Sequence, residues 1–237
     1  AYFYIGFNGP FQLYGGTFTA TSATTEATGN WSISGGTFNH NNGTVIVGQA
    51  GGTVTLTGSH TLSNLRIGPL TTAGGGNRID IADGTTLTVT GTFTLDNLGP
   101  WTQIAGSLGT IAAQGNIVLD DQSYGASTTS ATIRVNGTGA QTFTGSGGDI
   151  PLLVIDKPGG TLTLSGTIVT GHDWTYLRGA IDPGTSTLTL DGGNTTIDVP
   201  GTDEQRTFYN LTINSTGTKT ITSGDTLIVT NTLTLTD

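Results

Sequence analysis

Three short clusters hold the side chains whose types and spacing suit chemistry in this 237-residue chain. Asp80 and Asp83 follow Arg78, Asp120 adjoins Asp121, and His172-Asp173 leads into Trp174 and Arg178. Paired carboxylates serve general acid and base work on a glycosidic bond, and acidic metal ligands beside an arginine stabilise developing charge. Each cluster is local, however, and lies in or beside a turn, where Asp and Asn ordinarily bond neighbouring backbone amides. Turn capping is the favoured reading of all three, and no catalytic residue, metal ligand or cofactor site is expected. Trp174, His172, Asp173 and Arg178 stand as candidate glycan contacts in an alternative reading. His40 and His60 are isolated and have weaker claims.

The elements that would position these groups are set by a recurrence. Trp31-Ser32-Ile33-Ser34-Gly35-Gly36-Thr37-Phe38 has counterparts at Trp101 to Leu108 and at Trp174 to Ile181. Each copy has a hydroxyl residue after Trp, then Gly five residues on and a large apolar residue seven on. The three tryptophans form either a sugar-stacking ladder or, as the favoured reading, packing positions at one corner of a repeating stack. Between them come strings such as Thr86-Leu87-Thr88-Val89-Thr90 and Asn64-Leu65-Arg66-Ile67, whose alternation marks strands with one buried face. Stretches such as 71–76 and 121–127 vary in length between copies, the mark of a stack with fixed rungs and free corners.

Composition points the same way. The chain holds 39 Gly and, counted along the sequence, 50 Thr. Branched Thr suits a pleated surface and Gly suits tight turns. No stripe of 3.6-residue period appears, so the protein is expected to be all-β. A net charge of -9 with only two lysines, Lys157 and Lys219, leaves no basic patch for nucleic acid. With no cysteine there are no disulfides or thiolate metal sites. No apolar run reaches the roughly 18 residues that a membrane helix needs.

The fold expected is a right-handed parallel β-solenoid built from about three units of ~70 residues, each of about three coils. Residues 15–237 form the solenoid, with units starting near Trp31, Trp101 and Trp174. Residues 1–14 stand apart because Tyr2, Phe3, Tyr4, Phe7, Phe11 and Tyr14 are six of the fourteen Phe and Tyr residues. They are read as a terminal cap or, alternatively, as an assembly segment that adds to the next subunit.

The strings at 35–45, 208–214 and 224–235 resemble the Thr/Gly-rich parallel β-helix repeats of large secreted microbial surface proteins of the adhesin-like and autotransporter-like kinds. The resemblance implies an extracellular location at the cell surface and a non-enzymatic structural or adhesive role in a filament, stalk or adhesin. Partners are then further copies of the chain, or more of the same chain, and surface glycans. The alternatives are a carbohydrate-binding or carbohydrate-cleaving β-helix and an ice-binding solenoid, which needs two Thr columns on every coil of one face. Six sequons, at Asn30, Asn42, Asn136, Asn194, Asn210 and Asn214, are candidate glycosylation sites.

Overall fold

In a computed structural model, which describes residues 4–49, 52–68, 77–96, 102–104, 108–119, 131–198, 205–214 and 217–236, the chain winds into a parallel β-solenoid of about nine turns. The N-terminal turns each carry three strands separated by corners. In the first turn they are Tyr4–Phe7, Phe11–Leu13 and Thr17–Thr19, which define faces one, two and three; in the second they are Thr24–Ala27, Trp31–Ile33 and Thr37–Asn39. Every pairing is parallel and joins a strand to its equivalent one turn later, so Tyr4 pairs with Thr24, Phe11 with Trp31 and Phe18 with Phe38. Among the described residues no helix is long and apolar enough to cross a membrane.

The strands form because alternation places one side-chain set inward. Thr53–Thr57 buries Val54 and Leu56 and leaves Thr53 and Thr57 exposed. Stacking turns then builds continuous apolar columns. Leu65, Phe93, Ile117 and Phe143 follow one another on face one, all fully buried. Burying each such side chain contributes about 1.5–3 kcal/mol. Toward the C-terminus strands run on through the corners, as in Leu152–Thr170 and Gln205–Asn214.

Turn length varies, and the corners absorb the difference. Tyr4, Thr24, Thr44 and Asn64 follow at 20-residue steps. Leu65 to Phe93 takes 28 residues, with the added length between strands Asn64–Ile67 and Asn77–Ile81. Corners also nest closely: Gly58 has φ +90°, and a Cβ there would sit 1.8 Å from the Ile33 carbonyl oxygen. Only glycine fits that approach.

One expectation changes in detail. Trp31 pairs with Phe11 and Leu56 on face two, whereas Trp174 pairs with Leu153 and Ile197 on face three. Both indoles are fully buried, so they are packing positions, but variable corners have carried them onto different faces and they share no corner. Trp101 lies outside the described residues. The described part of the aromatic segment, from residue 4, supplies the strands Tyr4–Phe7 and Phe11–Leu13 of the first turn. Phe11 stacks on Trp31 at 4.2 Å and meets Phe7 and Phe18 edge-on at 5.1 Å each. Tyr14 is 72% exposed, the backbone of Tyr4 begins the first strand, and Tyr2 and Phe3 lie outside the described residues.

Candidate functional site

The sequence clusters are dispersed by the fold. Arg78 donates from Nε to Asp80 Oδ1 at 2.9 Å on the strand Asn77–Ile81, while Asp83 lies exposed in the turn that follows. Asp120 and Asp121 lie outside the described residues. His172 sits in the turn before the strand Trp174–Asp182, where its backbone N–H donates to Thr170 Oγ1 at 3.0 Å. Asp173 Oδ1 accepts the Thr196 N–H at 2.6 Å, Trp174 points into the core, and Arg178 Nε donates to Asp156 at 2.5 Å. His172 Nε2 and Trp174 Nε1 are buried with no hydrogen-bond partner among the described residues. His40 caps its own turn, its Nδ1 accepting the Asn42 N–H at 3.0 Å.

The most concentrated charges lie on face three. Asp156, only 5% exposed, is held between Arg134 on the preceding turn and Arg178 on the following one. Hydrogen bonds from Arg134 first, and then from Arg178, hold its carboxyl below the usual carboxylate range. Next in the chain, the fully buried Lys157 donates from Nζ to Gly137 O at 2.9 Å, Gly139 O at 2.8 Å and Gln141 Oε1 at 2.6 Å. An ammonium has three protons, and this cradle takes all three. Lys219 repeats the arrangement nearer the surface, with Gly193 O at 2.6 Å, Thr195 Oγ1 at 2.8 Å and Gly192 O at 3.2 Å. Desolvation lowers the pKa of both lysines.

A second recurring device uses side-chain carbonyls at corners. Asn30, Asn116, Asp173 and Asn194 each precede a strand, and their Oδ1 atoms accept the backbone N–H groups of Thr55, Thr142, Thr196 and Thr218 one turn later, at 2.6–2.9 Å. Asn64 does the same for Thr92 at 2.8 Å. An Asn or Asp immediately before a strand is the sequence signal that reveals this role. Two sequon residues, Asn30 and Asn194, are therefore engaged in joining turns. Asn210 bonds Thr187 and Asn231, Asn136 Oδ1 is buried, Asn42 has φ +59° in a tight turn, and Asn214 is exposed.

Threonine columns exist but are broken. Thr86, Thr110 and Thr132 align on face three and are followed by Leu152; Thr61 and Thr88 align and are followed by Ala112, Arg134 and Val154. Among the described residues no group of three or more His, Asp or Glu side chains is placed to hold a metal. Leu233 is 54% and Leu235 69% exposed on the last turn, although their partners one turn earlier, Leu211 and Ile213, are buried or partly buried. No family model, curated protein or solved structure matches this chain.

Proposed function

We propose that the chain is a non-enzymatic extracellular β-solenoid, a stiff rod that forms part of a cell-surface filament, stalk or adhesin. The observation that carries this reading is how its polar side chains are used. Asp156, Lys157, Asp173, Lys219 and the corner asparagines all bind the neighbouring turn. Such bonds stiffen a rod, whose stability is a sum of nearest-neighbour contacts. The alternative, a carbohydrate-binding or carbohydrate-cleaving β-helix, is favoured by the unpartnered His172 Nε2 and Trp174 Nε1 beside exposed Asp173. Incubation with a panel of polysaccharides, read by released reducing ends and by unsaturated products, tests the choice. No turnover is expected, and electron micrographs should show rods. Turnover abolished by Asp173→Ala would replace the structural reading with the enzymatic one.

A further inference from the structure

Two of the chain's five arginines close over one carboxylate and leave part of each guanidinium unused. Arg134 spends Nε and Nη2 on Asp156 Oδ2, and Arg178 spends Nε on Asp156 Oδ1. Among the described residues, Arg134 Nη1 and both Nη groups of Arg178 have no protein partner, and the two side chains are 48% and 60% exposed. Two guanidinium charges against one carboxylate leave one positive charge here, in a chain whose net charge is -9. The surface between the arginines carries aliphatic side chains. Outward positions on face three run Ala112, Arg134, Val154, Thr175 and Asp198 on successive turns, which puts half-buried Val154 on the rung after Arg134. Beside it the register shifts, with Ile155 opposite Tyr176 and Asp156 opposite Arg178. Leu177 is the extra residue of that bulge and is 44% exposed. A bulge re-aims the side chains of the strand that carries it. This one brings Arg178 opposite Asp156 and leaves Leu177 at the surface.

Resting on the surface-rod reading and naming its ligand, we infer that Arg134, Val154, Leu177 and Arg178 form a binding site for an acidic glycan, held through an oxyanion on a sugar ring, either a carboxylate or a sulfate ester. The spare N–H groups of a guanidinium are planar, forked donors that match two oxygens of such a group. Val154 and Leu177 receive the C–H face of the ring. Asp156 acts as a positioning residue: it already holds part of each guanidinium, so less side-chain freedom is lost when the remaining N–H groups bind. Asp198 lies on the rung beyond Thr175 and repels an anion there, which keeps the glycan over Val154 and Leu177. Two aliphatic side chains on a strand face suit a single ring, against the roughly 20–30 residues a side that a stable protein interface needs.

Titration of the immobilised full chain at low salt with polygalacturonate, dextran sulfate and neutral dextran tests the site. The net charge of -9 repels polyanions from the rest of the surface, so binding of an acidic polymer reports a local positive site. Whichever acidic polymer binds more tightly identifies the oxyanion as carboxylate or sulfate, and neutral dextran should not bind. Leu177→Glu keeps both arginines and Asp156 and should weaken binding at least tenfold with an unchanged urea midpoint. Arg178→Gln keeps the Arg134–Asp156 pair and should weaken it at least fivefold. Arg178→Lys should recover only part of that loss, because an ammonium is a point charge. Arg78→Gln, at the exposed pair with Asp80 on face two, should bind as the wild type does. The proposal is overturned by failure of both acidic polymers to bind, by equal binding of neutral dextran, by wild-type binding in Leu177→Glu, or by an equal loss in Arg78→Gln. None of these results touches the rod reading, which falls only if the polysaccharide panel shows turnover.

Discussion

Nε1 of Trp31 donates a 3.0 Å hydrogen bond to Nε2 of His60, 29 residues further along the chain. Because Nε2 accepts, the imidazole proton sits on Nδ1, 2.7 Å from the Gly58 carbonyl oxygen. The His60 ring also stacks on the indole with centroids 6.1 Å apart, inside the aromatic cluster of Phe11, Phe18 and Phe38. Burial lowers the imidazole pKa below 6.5, against the opposing pull of the Gly58 carbonyl. The unfolded chain therefore binds the proton more readily. The contribution to stability is complete above pH 6.5 and is lost as pH falls toward the folded value. Urea unfolding should show the wild-type chain weaker at pH 5.5 than at pH 7.5, by about 1 kcal/mol or more for loss of the indole bond. His60→Gln keeps an acceptor but cannot titrate in this range, so it should flatten the difference. An equal decline in both proteins would assign the effect elsewhere.

Asp156 predicts a second, lower pH window. Its carboxyl is held below 3.8 by the arginines on either side, so its contribution is present above that value and is lost as pH falls through the folded pKa. Asp156→Asn should lower stability at pH 7 by about 1–2 kcal/mol, a modest figure because Arg134 and Arg178 are 48% and 60% exposed and regain water. Thermal unfolding of the variant and of the wild type should converge below pH 3.8. Arg134 makes two bonds to Asp156 Oδ2 and Arg178 one to Oδ1, so Arg134→Gln should cost more than Arg178→Gln. The reverse order would contradict the geometry.

The two lysines give a comparison within one molecule. Lys157 is 1% exposed and its removal takes the ammonium from the carbonyls of Gly137 and Gly139 and from Gln141 Oε1, which keeps only the Gly137 N–H, so Lys157→Met should cost about 1–3 kcal/mol in denaturant unfolding. The hydrogen bonds of Lys219 to Gly192 and Gly193 are exposed, and water replaces them, so Lys219→Met should cost a few tenths of that. Equal costs would mean that the buried cradle contributes nothing beyond the surface one.

How much of this was legible follows from what alternation encodes. Thr-x-Thr strings reported strands and inward residues correctly, as at Leu87 and Val89, because pleat and burial share a period of two. Alternation says nothing of which face a strand occupies. Asn64-Leu65-Arg66-Ile67 and Asn210-Leu211-Thr212-Ile213 look equivalent in sequence, yet the first stacks on Thr44–Val47 of face one and the second on Thr187–Asp191 of face two. The ~70-residue recurrence hides a shorter turn whose length changes at the corners. Lys157 and Asp156 were unreadable for a different reason. Their partners lie 16–22 residues away across a turn, at distances no local pattern specifies.

The corner asparagines offer the sharpest test of rod mechanics. Asn194 Oδ1 holds the Thr218 N–H near the C-terminal end, and Asn64 Oδ1 holds the Thr92 N–H in the interior of the stack. Alanine at either site removes one bond to a backbone amide, a loss of about 0.5–1.5 kcal/mol. In a stack of nearest-neighbour contacts the same loss has different reach. Among the described residues, the turns after Asn194 end on the strand Thr226–Thr236, which pairs only with Gln205–Asn214. Asn64 has folded turns above and below. Hydrogen exchange of Asn194→Ala should therefore quicken at Thr218 and across 219–236, because the end opens as a unit. In Asn64→Ala it should quicken at Thr92 and little beyond. Exchange that spreads equally from both sites would mean that the solenoid opens globally, and the description of the chain as a rod of independently held turns would fail.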